Sequence, residues 1–178
     1  MNIALTEPQE TFIFSEAPHP AMVAGLGAGK SQAALTRLIL KMLAEPGINT
    51  AYMMPTYDLI RLRAIPGAEE VLDAVGIGYT TNRSEYRVNV NGYGDIIFRS
   101  YERPERIVAY EVAHSITDEL DTLNKEKASF VWRKVSERNR QKCKGFNTIG
   151  NVTTPDQGIN GFTYDRWHKN PKEGYELI

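Results

Sequence analysis

Hydrophobic and polar positions along this chain switch between two periods, and the switches predict its elements. Pro20-Ala21-Met22-Val23-Ala24 is a short apolar run ending in glycines, the pattern of a buried strand. From Ser31 to Ala44, the apolar residues Ala34, Leu35, Leu38, Ile39, Met42 and Leu43 recur at helical spacing, and Glu45-Pro46-Gly47 stops the helix. Thr50-Ala51-Tyr52-Met53-Met54 predicts a second strand, closed by Pro55. Tyr57 to Val75 predicts a helix interrupted around Pro66-Gly67. Tyr86-Arg87-Val88-Asn89-Val90 alternates, and Asp95-Ile96-Ile97-Phe98 follows the glycine-rich Asn91-Gly92-Tyr93-Gly94, which predicts an antiparallel hairpin. Val112 to Thr117 is a weaker strand, Lys125 to Gln141 a helix, and Phe146 to Val152 a further strand. Strands alternating with helices predict an α/β layered fold, a mostly parallel central sheet flanked by helices with an antiparallel hairpin added. No repeat, low-complexity run or linker divides the chain, so residues 1–178 are expected to form one domain.

Composition narrows this picture. The chain is 42% hydrophobic and 24% charged, ordinary for a globular domain. Its formal net charge of −1 offers no broad attraction to nucleic acid. Basic residues do gather at Arg133, Lys134, Arg138, Arg140, Lys142 and Lys144, around a helix end whose dipole favours cations. A solvated helix face and a set of phosphate contacts, to which Arg61 and Arg63 would add, both remain open there. The single cysteine, Cys143, excludes an internal disulfide or a cysteine-rich zinc site and suits a reducing cytosol. No apolar stretch approaches the roughly 20 residues that span a bilayer. The opening, Met1 to Glu7, lacks the pattern of a signal peptide. A cytoplasmic protein without a membrane partner is expected.

Chemistry enters at Ala24-Gly25-Leu26-Gly27-Ala28-Gly29-Lys30-Ser31, between the first strand and the first long helix. Its ending matches the P-loop pattern G-x-x-x-x-G-K-[ST], with Ala24 in place of the first glycine. Gly25, Gly27 and Gly29 let backbone N–H groups converge on phosphate, and Ala28 and Gln32 complete the predicted nucleotide-binding segment. Lys30 would reach the β- and γ-phosphates of ATP, and the Ser31 hydroxyl would coordinate Mg²⁺. The flanking strand and helix favour this reading over a plain glycine-rich turn. Hydrolysis also needs carboxylates, and Asp118-Glu119 at the end of the Val112–Thr117 strand supplies a pair: Asp118 for the Mg²⁺ site, Glu119 as the base for water. Glu69-Glu70 competes but has no strand before it, and a helix start capped by Thr117 or Asp118 is the alternative at 118–119. His114 reads as a packing or hydrogen-bonding residue.

The order of these features resembles the ATPase domain of large terminase subunits, the DNA-packaging motors of tailed bacteriophages. Thr6-Glu7-Pro8-Gln9-Glu10-Thr11-Phe12 is similar to that family's Q-motif, which implies that Gln9 reads the adenine edge. Tyr52-Met53-Met54-Pro55-Thr56-Tyr57, Arg106 to Glu111, and Trp132-Arg133-Lys134-Val135 also match in order. Asn151-Val152-Thr153-Thr154-Pro155 resembles the coupling motif, which makes Thr153 and Thr154 candidate γ-phosphate sensors, with turn capping before Pro155 the other reading. Many relatives carry arginine where this chain has Leu26, so any arginine finger must come from elsewhere, with Arg103 and Arg106 as candidates in a ring. The resemblance implies a P-loop NTPase three-layer fold and ATP hydrolysis driving double-stranded DNA translocation. It further implies a homo-oligomeric ring on a capsid portal and a small terminase subunit as partner. The family's nuclease domain is expected to be absent from this chain. A helicase-like ATPase, a P-loop kinase and a non-hydrolysing nucleotide-binding module are the alternatives.

Overall fold

The computed structural model describes residues 5–178, so the first four residues of the opening stretch lie outside it. In chain order the strands are β1 (His19–Val23), β2 (Thr50–Met54), β3 (Tyr79–Asn82), β4 (Arg87–Val90), β5 (Gly94–Ser100), β6 (His114–Asp118), β7 (Thr148–Thr153) and β8 (Tyr175–Leu177). They form one sheet in the order β3-β4-β5-β2-β6-β7-β1-β8. β3, β4 and β5 pair antiparallel, and every other pair is parallel. The ends of β1, β2, β5, β6 and β7 therefore open on one edge, where ligands bind in parallel sheets of this kind.

Helices cover both faces. On one side lie α1 (Glu7–Phe14), α2 (Lys30–Ala44) and α4 (Ile65–Val75); on the other lies α5 (Lys125–Ser136) with the segment around Phe162 and Trp167. β2 shows why the sheet must be sandwiched. All five of its residues are buried, with Tyr52 and Met54 packing towards α2 and Ala51 and Met53 towards α5. A strand apolar on both faces is stable only between two layers.

The predicted hairpin is present, with Gly92 at φ 81° in its turn. The helical stretch from Tyr57 runs through α3 (Tyr57–Leu59) and a π-helical turn at Ile60–Ala64 into α4. The irregularity thus falls just before Pro66 rather than at Pro66-Gly67, because proline fits the first turn of α4 but has no N–H to continue the ladder from upstream. α5 stops at Ser136, five residues short of the expected Gln141. Past that point the chain pairs with the approach to β6: Val112 N donates to Arg138 O (3.1 Å) and Gln141 N to Val112 O (3.2 Å). The Asn139 amide donates to Thr148 O (2.8 Å). β3 and β8 were not expected, being short, half-exposed edge strands without a clear apolar alternation.

Candidate active site

The loop leaving β1 reaches α2 through two left-handed glycines, Gly27 (φ 77°) and Gly29 (φ 74°). Gly29 is doubly constrained, because a Cβ there would stand 2.1 Å from Gln9 Nε2. Ala24 occupies the first glycine position without disruption, its N–H donating to Thr153 O at 3.3 Å. No side chain caps the N-terminus of α2, so the N–H groups of Lys30, Ser31 and Gln32 are available to an anion at the positive end of a 15-residue helix.

Lys30 is only 5% exposed. Its ammonium donates to Ala24 O (2.9 Å), Gly25 O (3.0 Å) and Thr154 Oγ1 (3.2 Å), and lies 3.7 Å from Glu119 Oε1. The loop lysine, the second acidic residue and the turn after β7 thus meet. Glu119 is held on the same side: Oε2 accepts from Thr154 N (3.0 Å) and Oε1 from the Thr154 hydroxyl (3.2 Å). Its backbone is left-handed at φ 55°. A non-glycine residue in that region costs about 1–3 kcal/mol and persists where the surroundings impose it. Here Glu119 N donates to Val152 O at 2.8 Å, fixing the turn. Thr153 points the other way, fully buried, accepting from Asp121 N at 3.2 Å. Of the two candidate sensors, Thr154 faces Lys30 and Glu119.

Asp118 ends β6 with no exposed surface. Oδ2 accepts a hydrogen bond from the Tyr52 hydroxyl, while Oδ1 has no partner. Burial pushes this carboxyl up to about 6, against the lowering effect of the Tyr52 hydrogen bond and of the Ser31 hydroxyl nearby. A buried carboxylate oxygen without a partner, beside the Ser31 hydroxyl, is an oxygen donor set fit for Mg²⁺. Among the described residues no group of three or more His, Cys, Asp and Glu could hold a metal.

Tyr52 escaped the sequence reading, as did Tyr101, whose hydroxyl stands 3.1 Å from both Met53 O and Asp118 O. Asp121 was missed too; it is 2% exposed, and its Oδ1 accepts from Thr163 N (3.1 Å) and Oγ1 (3.0 Å). The repeated acidic residue in Asp118-Glu119-Leu120-Asp121 was the available signal for it.

Gln9 adjoins the loop from behind, and the other predicted residues fall elsewhere. Gln9 is nearly buried behind the loop: its Oε1 accepts from Thr6 N (2.9 Å) in a capping box, and its Nε2 donates to Ala28 O and Gly29 O, both at 3.4 Å. Arg103 and Arg106 flank and end a short 3₁₀ turn beyond β5, beside a 420 Å³ cavity shared with Tyr57 and Arg99. β5 stands four strand positions from β1, about 19 Å across the sheet at the usual strand spacing, and two from β6, which carries Asp118. Glu69 is engaged by Thr81 (2.7 Å) and Arg83 (3.1 Å) on α4, away from the site. In the basic cluster Lys134 pairs with Glu137 (3.1 Å) and Arg140 with Glu111 (2.7 Å). Among the described residues no helix is long and apolar enough to cross a membrane.

No family model matches the chain, and no curated protein matches it. Solved structures do. The large terminase from a thermophilic bacteriophage superposes with a TM-score of 0.80 at 13% identity, covering 99% of this chain and 45% of that one. The same terminase in complex with ATP-γ-S gives 0.76 at 13% identity, over 98% and 44%. The Thermus phage P74-26 large terminase ATPase domain gives 0.67 at 20% identity, over 97% and 74%. The N-terminal domain of the DNA packaging ATPase from bacteriophage phi29 gives 0.67 at 12% identity, over 94% and 88%. This chain spans less than half of the first of these terminases and most of the two isolated domains. At these identities the likeness establishes the fold: the chain has the P-loop α/β fold of the large terminase ATPase domains.

Proposed function

We propose that this chain is a Mg²⁺-dependent ATPase domain that powers double-stranded DNA translocation into a viral procapsid, as the large terminase subunit does. The observation that carries the reading is the meeting of Lys30, Glu119 and Thr154 at the open edge of the sheet, with Asp118 beside them. The α2 N-terminus and Lys30 would bind the triphosphate, with Gly25, Gly27, Ala28, Gly29 and Gln32 lining its path and Ser31 and Asp118 holding Mg²⁺. The bound cation would neutralise charge on the phosphates. Glu119 would take a proton from water as the water oxygen bonds to the γ-phosphorus and the bond to the bridging oxygen breaks. Thr154, gripping Glu119 through both N–H and hydroxyl, would link the γ-phosphate to the turn after β7. Gln9 braces the loop and would place the adenine edge. Arg106 or Arg103 would act on a neighbouring subunit's nucleotide, in a homo-oligomeric ring on the capsid portal with the small terminase subunit as partner, in the host cytoplasm.

Turnover of ATP by the purified chain, with and without double-stranded DNA, tests this. DNA is expected to raise the rate, with all phosphate released free. Phosphate appearing on a small-molecule acceptor would make the protein a kinase. Tight ATP binding without turnover in either condition would make it a nucleotide-binding module.

A further inference from the structure

β2 alternates across the sheet, so Tyr52 belongs to the apolar layer under α2, where its ring lies 6.2 Å from that of Phe98. Phenylalanine would serve that packing equally well. The hydroxyl is the part the core does not explain. Tyr52 is in register with Ile116 of β6, and Asp118 lies two residues further along the same strand face. The phenol spans that step, and its O–H donates to Asp118 Oδ2. Oδ1 is left as the oxygen of this carboxylate without a partner.

We propose that Tyr52 is a positioning residue for the metal-binding carboxylate: it occupies Oδ2 of Asp118 and so presents Oδ1 to the Mg²⁺ of Mg-ATP. This rests on the ATPase reading above and adds a residue from a neighbouring strand. Outer hydrogen-bond partners of metal-binding groups orient them, and their loss weakens metal affinity by roughly 10–100-fold.

The test is binding of a fluorescent ATP analogue by the full chain as Mg²⁺ is titrated, with melting temperature followed in parallel. Tyr52→Phe is expected to raise the Mg²⁺ concentration for half-maximal binding roughly tenfold while binding without metal stays at the wild-type level. Equal weakening at every Mg²⁺ concentration, with a lowered melting temperature, would make Tyr52 a packing residue and overturn the proposal. Asp118→Asn separates the two readings. If it shifts the metal dependence and Tyr52→Phe does not, only the role of Tyr52 fails. If Asp118→Asn shifts nothing, the metal assignment to Asp118 fails and takes the role of Tyr52 with it.

Discussion

His114 opens β6 at 5% exposure, and its Nδ1 accepts from Thr148 N (3.3 Å) and lies 2.9 Å from the Thr148 hydroxyl. Burial, with Lys41 and Arg37 nearby, lowers this imidazole from 6.5 to about 3. The folded state therefore keeps His114 neutral where the unfolded chain binds a proton. Between about pH 6.5 and 3 stability falls as pH falls, by at most about 1.4 kcal/mol per pH unit from this group. Asp118 acts in the opposite sense: its raised carboxyl favours the fold below the unfolded pKa of 3.8, and that contribution is lost as pH rises through about 6. Comparing variants isolates the histidine. His114→Asn keeps an acceptor for Thr148 N but cannot titrate, so the drop in unfolding free energy from pH 7.5 to 5 should be smaller than in wild type. Urea melts at the two values measure it, and an unchanged drop would assign the acid sensitivity to other groups.

Between β6 and β7 the side chains form a buried polar line instead of an apolar seam. Thr117 Oγ1 donates to Asn151 Oδ1 (2.9 Å), Asn151 Nδ2 donates to Thr163 Oγ1 (2.9 Å), and Thr163 Oγ1 donates to Asp121 Oδ1 (3.0 Å). Such polar pairing is why β6 read as a weak strand: His114, Ser115 and Thr117 broke its apolar run, yet His114 and Thr117 find partners on β7 and Ser115 finds Asn139 in the stretch after α5. β2 and α2, whose apolar periods mark their packing faces, were legible in the sequence almost to the residue. So was the phosphate loop, whose chemistry is local to eight consecutive positions. Tyr52, Asp121 and Thr163 were not, because their roles depend on strand neighbours and on a segment about 40 residues away in the chain. Asp121→Ala would leave Thr163 N and Oγ1 without their acceptor in the interior. It is expected to cost roughly 1–3 kcal/mol in urea unfolding. Thr163→Ser, which keeps both donors, should cost far less, and equal losses in the two variants would show that packing rather than the hydrogen-bonded line is at stake.

Across the whole molecule, cationic groups are distributed unevenly around the open edge of the sheet. The phosphate loop presents Leu26 at its tip, 88% exposed, a side chain that cannot meet the charge of a transferring phosphoryl group. Arg103 and Arg106 stand on the same edge beyond β5, four strand positions from β1 and two from β6. In the ring proposed above, a second copy would bring these arginines to the nucleotide of its neighbour. Under the proposed ring, Arg106→Ala should bind ATP as wild type does yet turn over at least tenfold more slowly, as loss of an arginine finger requires. Lys30→Ala should fail in its own site while still offering Arg106 to a neighbour. Mixing the two inactive variants should therefore restore turnover, because each Arg106→Ala site can receive an intact arginine from a Lys30→Ala subunit. Recovery that rises with protein concentration and vanishes on dilution would tie the effect to assembly. An inactive Arg106→Ala that no mixture rescues would argue for a role within its own chain, and wild-type turnover in both Arg103→Ala and Arg106→Ala would remove these residues from catalysis.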